Sequence, residues 1–422
     1  MTIKHLIKVM GPGLLYAGAA IGVSHLVQST RAGASYGFEL IWIILIANIL
    51  KYPFFEFAPR YTAATGNNLI KGYSILGRWA VWIYIAVTIA SMFVLQSGVT
   101  IVTAGLFGNI FGIHLSAFWL SAILLVFTTA ILIIGKYSLL DKLIKWVIVI
   151  LALSTIVAVF SAYFKNGFNP NPHLIKLFNL KNPTDVAFLI AFFGWMPGPI
   201  DISIWQSIWA EAKHKETKVN VTIKEALLDF NIGYIGTIIL ALGFLSLGAL
   251  VMYGTGNKFS GSSIAFAGQL IDLFTISIGS WAYPVIAIAA LATMFSTTLT
   301  CFDAYSRSMV PALNLGIKKL NIDTPKKENR WWITWMLILL TGTLIILGFF
   351  VTSMKQMVDF ATTLSFVLAP VLALLNYLVI TNKHVPQNYR PKAFLKYYAL
   401  ISLIILSLFS LFFIYWRFFI KS

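Results

Sequence analysis

Two short stretches of this 422-residue chain bring together residue types able to hold a small solute inside an apolar protein. The first is Gly22-Val-Ser-His25 and the second is Gly194-Trp-Met-Pro-Gly-Pro199. Pro197 and Pro199 each remove a backbone donor, and Gly198 frees the chain between them, so a helix cannot pass through intact. Such a break strands amides and carbonyls, which a bilayer tolerates only where they line a cavity or bind a solute. Kinking and close packing are the other use of glycine and proline in such helices. His25 and Met196 add borderline and soft donors, suited to a transition metal and poor for magnesium or calcium. Ser24 and the carbonyls of Gly22 and Ser24 complete the candidate substrate set, and a cavity between the stretches is expected to touch both His25 and Met196.

Other polar residues sit in apolar surroundings. Asp201 lies five residues beyond Met196, with Trp205 and Trp209 following at i+4 and i+8 on one helical face. It has two open roles: counter-charge for a bound cation, or cap of a helix starting after Pro199. Asp303 and Arg307 stand at i, i+4 and are expected to form a structural or gating pair. Ser296, Thr297, Thr298 and Thr300 place hydroxyls at membrane depth, where bonding back to the preceding helical turn is routine. Lys51 and Glu56 flank Pro53 and are expected to snorkel to the interface; Asp359, next to Lys355 in space along the helix, belongs to an external vestibule or a cap. Cys301 is the only cysteine, so no disulfide or thiolate cluster forms within one chain, and it reads as a small buried hydrophobe. No histidine pair has metal-hydrolase spacing, so the chain is read as not an enzyme and no cofactor is implied.

The elements that must position these residues follow from composition. The chain is 59% hydrophobic and 11% charged, which fits an all-α polytopic membrane protein and leaves no soluble domain over. The N-terminus is basic but leads into Gly11-Pro-Gly13 with no small-residue cleavage site, so no cleaved signal peptide is expected. Apolar runs near 12–30, 39–58, 80–107, 116–135, 142–163, 185–209, 227–252, 281–312, 331–351, 357–380 and 397–416 predict eleven transmembrane helices. The net charge of +17 is a matter of topology, not of nucleic-acid binding. About 21 basic residues, including Lys4, Lys8, Lys136, Lys142, Lys145, Lys318 and Lys319, fall in loops on one side against about 7 on the other. That bias predicts a multi-pass protein of a bacterial-type cytoplasmic membrane, N-terminus inside and C-terminus outside. Eleven spans fit a five-plus-five inverted repeat, 12–163 and 185–380, with an extra C-terminal helix at 397–416. The first span of each repeat, numbers one and six, then carries the two discontinuous stretches.

Gly11-Pro-Gly13, Arg31-Ala-Gly-Ala-Ser-Tyr-Gly-Phe38 and Trp195-Met-Pro197 resemble the NRAMP family of divalent-metal transporters over essentially the whole helix order. The resemblance implies the leucine-transporter-type fold, alternating access and a divalent transition-metal cargo of the manganese or iron class. It adds Gly198 and Thr362 to the substrate-binding candidates, at the family's helix-six histidine and helix-ten glutamine. It also suggests a sodium site at Ser296, Thr297 and Thr300, where hydroxyls meet carbonyls of the first broken helix. The departures are as informative. The family's metal-binding aspartate and asparagine are Gly22 and His25, and only Gln96 lies near the family's helix-three glutamate. Proton coupling is therefore not expected on the family's pattern, and a non-metal solute carried on the same fold, or a passive uniporter, is the rival reading.

Overall fold

The computed structural model describes residues 11–135, 137–218, 221–317, 320, 322, 324–351 and 353–420, with 137–148, 166 and 420 described by backbone alone. Lys4, Lys8, Lys136, Lys318 and Lys319 lie outside the described residues, as do the side chains of Lys142 and Lys145. Among the described residues every regular element is helical. The α-helices in chain order are α1 (Pro12–Ala20), α2 (Thr30–Tyr36), α3 (Ile41–Thr65), α4 (Leu69–Leu76), α5 (Arg78–Ile110), α6 (Ala117–Ile134), α7 (Tyr137–Asn166) and α8 (Pro183–Gly194). They continue as α9 (Asp201–Thr217), α10 (Ile223–Val251), α11 (Ser263–Ile278), α12 (Tyr283–Gly316), α13 (Pro325–Phe349), α14 (Met354–Thr381) and α15 (Ala393–Tyr415).

Eight helices, α3, α5, α6, α10 and α12 to α15, are long and apolar enough to cross a bilayer by length and composition. Three predicted spans are absent from that set: one and six because each is divided, into α1 with α2 and α8 with α9, and five because α7 is described with its side chains only from Val149 to Lys165. Two helices had no counterpart among the predicted spans, α4 and α11. The apolar run of α11 is only 16 residues long, below a bilayer's need, and the helix packs against α5 and α7.

The outward faces of the bundle are apolar. On α6 they carry Trp119, Ile123, Phe127 and Ile134, and on α15 Ile401, Ile404, Leu408 and Leu411. An exposed surface of this kind needs lipid around it. The interior instead packs through small residues. Gly33 of α2 lies against the Leu245 carbonyl of α10, and Gly248 of α10 against the Thr30 carbonyl, so neither place has room for a Cβ. Helices α1, α2 and α3 all pack on α10, and this group forms the wall against which the first break is held.

Gly194 makes the corresponding contact at the second break: a Cβ there would collide with the Thr362 carbonyl of α14. Gly194→Ala is expected to destabilise the protein by about 1–3 kcal/mol or more, the cost of overpacking an ordered interior. Thermal unfolding of the detergent-solubilised variant checks this, and wild-type stability would mean that α8 and α14 can separate freely.

Candidate functional site

The first break begins where α1 ends. Ile21 and Gly22 leave the helix, which resumes through a wide-turn π segment, Ser24–Ser29, before α2. Gly22 is required sterically, since a Cβ there would lie 2.8–2.9 Å from the Thr297 side chain of α12. The Thr297 hydroxyl sits 3.2 Å from the Ile21 carbonyl, 3.4 Å from that of Gly18 and 3.1 Å from that of Thr293. One hydroxyl hydrogen is thus shared between its own helix and the carbonyls that the break releases. Ser296 and Thr300 are buried on the same helix.

The second break runs from Trp195 to Ile200, between α8 and α9, with a cis peptide at Met196–Pro197. Carbonyls freed at the end of α8 do not wait for a solute. Lys51 of α3 is fully buried and donates to the carbonyls of Phe193 and Gly194, both at 2.8 Å, with its ammonium 5.1 Å from the Phe193 ring centre. The expectation that Lys51 snorkels is therefore corrected: its charge is drawn inward by a helix C-terminus, where a cation complements the dipole. Glu56 pairs with Arg60. At the other end of the break Asp201 is the first residue of α9, where a carboxylate complements the exposed amides of a first turn. Among the described residues its Oδ1 has no hydrogen-bond partner.

The two breaks face each other. A Cβ on Gly198 would stand 3.6 Å from that of Ala20, and Ser24 Oγ is 3.4 Å from the Pro197 carbonyl. Between them remains a cavity of about 20 Å³, bordered by Ser24, Trp195, Trp205, Thr297, Cys301 and Tyr305 among others. Trp205 and Tyr305 meet edge to face at 4.7 Å, and among the described residues Trp205 Nε1 has no hydrogen-bond partner. His25 and Met196, expected at this cavity, are fully buried and do not line it. His25 Nε2 lies 2.9 Å from the Thr237 carbonyl of α10, and Nδ1 lies 2.7 Å from Ser24 Oγ. Because a carbonyl only accepts, Nε2 carries a hydrogen, and the single Ser24 hydroxyl hydrogen is contested by His25 Nδ1 and the Ala20 carbonyl at 2.8 Å. The imidazole ties the π segment to α10. Among the described residues no three His, Cys, Asp or Glu side chains gather as metal ligands.

A larger chamber opens at each end of the bundle. One, of about 550 Å³, is bordered by Arg31, Tyr36, Phe188, Tyr253, Lys355 and Asp359 with neighbouring residues. The Tyr253 phenol is pushed above its ordinary pKa by burial and then by Glu39, so it stays a neutral donor. The other, of about 480 Å³, is bordered by Pro12, Thr62, Gln206, Lys213, His214 and Asp229 among others. Each is bordered by polar ties between helices. At the first chamber Arg31 of α2 grips Asp359 of α14 through two bonds of 2.7 and 3.0 Å and also holds Gln28 at 2.8 Å. Gln28 in turn reaches Asp359 at 3.1 Å and Thr362 at 3.3 Å, so Thr362 belongs to this closure. At the second chamber Asp229 accepts from the amides of Gly11 (3.2 Å) and Gly13 (2.6 Å), pinning the start of α1 to α10. Asp303 and Arg307 pair at 2.9 Å, and Asp303 accepts further from Trp332 Nε1 at 3.0 Å, away from the breaks.

Two residues here, Arg31 and Lys51, hold the ends of the breaks without having been expected to. Arg31 was expected only as part of a motif, although an arginine inside an apolar span is itself a signal. Lys51 carried the same signal and was assigned to the interface.

Comparison with known proteins places these features in context. Residues 13–416 match the family model described as natural resistance-associated macrophage protein-like, Nramp. An uncharacterized protein of Pasteurella multocida is 37% identical over 413 residues, 96% of this chain and 91% of that protein. The divalent metal cation transporter MntH of Listeria welshimeri is 24% identical over 75% of this chain and 70% of its own length. Among solved structures, a mutant manganese transporter of Eremococcus coleocola superposes with a TM-score of 0.71 at 13% identity, covering 97% of this chain and 86% of that one. At that identity the likeness is one of fold.

Proposed function

The chain belongs to the Nramp family of membrane transporters, and from that premise we propose that it is a secondary transporter working by alternating access, carrying a small ionic solute through the space between the two helix breaks. The observation that carries this reading is the pair of chambers at opposite ends of the bundle, separated by a nearly filled cavity at which both interrupted helices meet. A closed centre between two polar closures is what an occluded carrier needs. In the cycle, release of the Arg31–Asp359 closure opens the α2–α14 side, and release of the Asp229 tie at α1 opens the other. By the basic bias of the loops, the first side faces out and the second faces the cytoplasm.

For the cargo, relatives named as metal transporters favour a divalent transition metal. In that version Asp201 supplies the counter-charge, with Met196, His25, Ser24 and the Gly22 carbonyl as further ligands and Gly198 giving access. A specific observation favours the other version, a non-metal solute. The carbonyls of the first break are engaged by Thr297, those at the end of α8 by a resident ammonium, and both ring nitrogens of His25 by protein partners. A divalent ion needs several free ligands and a compensating carboxylate, and bringing it beside Lys51 sets two cations together in a poorly solvated place. We therefore take the non-metal solute as the reading the geometry supports best. Lys51 fills the role of a bound cation at α8, and Asp201 Oδ1 is the position left for a coupling cation or proton.

Uptake into proteoliposomes tests the choice. The expected outcome is no saturable manganese or iron flux above protein-free vesicles. Saturable manganese uptake that is lost on Met196→Ala would overturn the non-metal reading in favour of the metal one.

A further inference from the structure

The chamber beside Arg31 is strongly basic for its place in the molecule. Five cationic side chains border it, Arg31, Lys176, Lys258, Lys355 and Arg417, against a single carboxylate in its lining, Asp359. Arg31 is committed to Asp359, and Lys176 to Asp185 behind the wall. Lys258, Lys355 and Arg417 form no ion pair among the described residues and are exposed. They come from three different elements: the connection after α10, the first turn of α14 and the end of the chain beyond α15. Lys355 lies within electrostatic reach of Arg31, Lys176 and Lys258, so the four charges share one space.

Topology does not explain this excess. The positive-inside rule concentrates lysine and arginine in the loops at the opposite end, near Lys213, and leaves this face sparse. Yet the cations that this face does carry converge on one concave chamber. Like charges brought together in a cleft cost free energy and focus an attractive field on an anion. A route for a divalent cation would call for the opposite sign. The walls add a second property, for Tyr36, Phe188, Phe259, Phe360 and Phe413 also face this space. Aromatic and aliphatic walls with a few placed charges are the make-up of a small-molecule site. Independently of the chamber, the buried ammonium of Lys51 holds the end of α8 at the second break, donating to two carbonyls and, among the described residues, pairing with no carboxylate.

We propose that this chamber is the entry site for a small organic anion, a carboxylate with an apolar body, drawn in by Lys355, Lys258 and Arg417 and packed against the aromatic wall. The inference deepens the non-metal reading above and rests on it. When Arg31 releases Asp359, its guanidinium becomes a further carboxylate partner, able to bind bidentately, so that anion arrival and gate opening are linked.

The test uses the purified full chain in nanodiscs, titrated separately with acetate, benzoate, succinate, the neutral isostere benzamide, and manganese chloride, read by thermal unfolding and calorimetry. At least one carboxylate is expected to raise the unfolding temperature, as any ligand of the folded state must, and to weaken with added salt, as exposed charges are screened. Benzamide is expected to have no effect. The double variant Lys258→Gln/Lys355→Gln, at exposed positions, is expected to fold normally and to lose carboxylate affinity by about tenfold or more. Equal action of benzamide and benzoate, undiminished carboxylate affinity in the double variant, stabilisation by manganese alone, or no stabilisation by any of the carboxylates would overturn the proposal. Labelling of Cys301 from both membrane sides, in the same preparation, separates this failure from failure of the transport reading. If labelling alternates while the anions do not bind, only the anion inference falls.

Discussion

Replacing Lys51 by methionine is expected to destabilise the protein by about 3–5 kcal/mol, the range found when one partner of a buried charged contact is removed. The side chain is fully buried and its ammonium donates to two carbonyls at the end of α8, both at 2.8 Å. Methionine fills a similar volume, so the loss reports the two acceptors left without a donor, each costing about 1–3 kcal/mol, together with the lost charge at a helix C-terminus. Lys51→Arg is expected to fall short of rescue, because a planar fork cannot place its donors where a compact ammonium with three rotatable hydrogens does. Thermal unfolding in detergent measures the effect. A Lys51→Met protein as stable as wild type would show that water or a solute satisfies the α8 carbonyls, and would reopen the break to a carried cation.

Neutralising the closure at the other charged site is expected to change function more than folding. Arg31→Gln removes the bidentate contact to Asp359 and the bond to Gln28. Charged hydrogen bonds contribute about 1.5–3 kcal/mol when well shielded, but the Asp359 side chain is 30% exposed, so solvent screening reduces the expected contribution to about 1–2 kcal/mol. That free energy shifts the closed-to-open balance by roughly 5–30-fold. Labelling of Cys301 from the Arg31 side should accelerate by that factor, and Asp359→Asn should do the same. Unchanged rates in both variants would mean that the pair stabilises α2 and α14 without gating them.

The helices and their interruptions were readable in the sequence because the causes are local. Apolar run length sets a span, and Pro197, Gly198 and Pro199 stop a helix wherever they occur. The family resemblance also rested on contiguous residues, and the match over residues 13–416 bears it out. What surrounds the breaks was less legible because it is assembled from distant elements. His25 looks like a ligand in Gly22-Val-Ser-His25, yet its partner Thr237 is 212 residues away. The role of Gly22 is set by Thr297, and that of Lys51 by Phe193 and Gly194. The basic chamber could not be seen as a unit, since its five cations are spread from Arg31 to Arg417. Asp359, expected in a vestibule or a cap, does line a chamber at one end of the bundle, but its partner there, Arg31, is 328 residues away. The short helix α11 was missed for the opposite reason, its apolar run being too brief to register as a span.

Alternating access through the paired breaks has a built-in reporter. Cys301 is the only cysteine of the chain and borders the central cavity between the two chambers. The measurement is its reaction with a membrane-impermeant thiol reagent, applied to right-side-out and to inside-out vesicles of the unmodified protein. Labelling from either side, with Arg31→Gln raising the rate on one side and lowering it on the other, is the predicted result. Labelling from one side alone, or from neither, would contradict a carrier that opens this cavity to each face in turn.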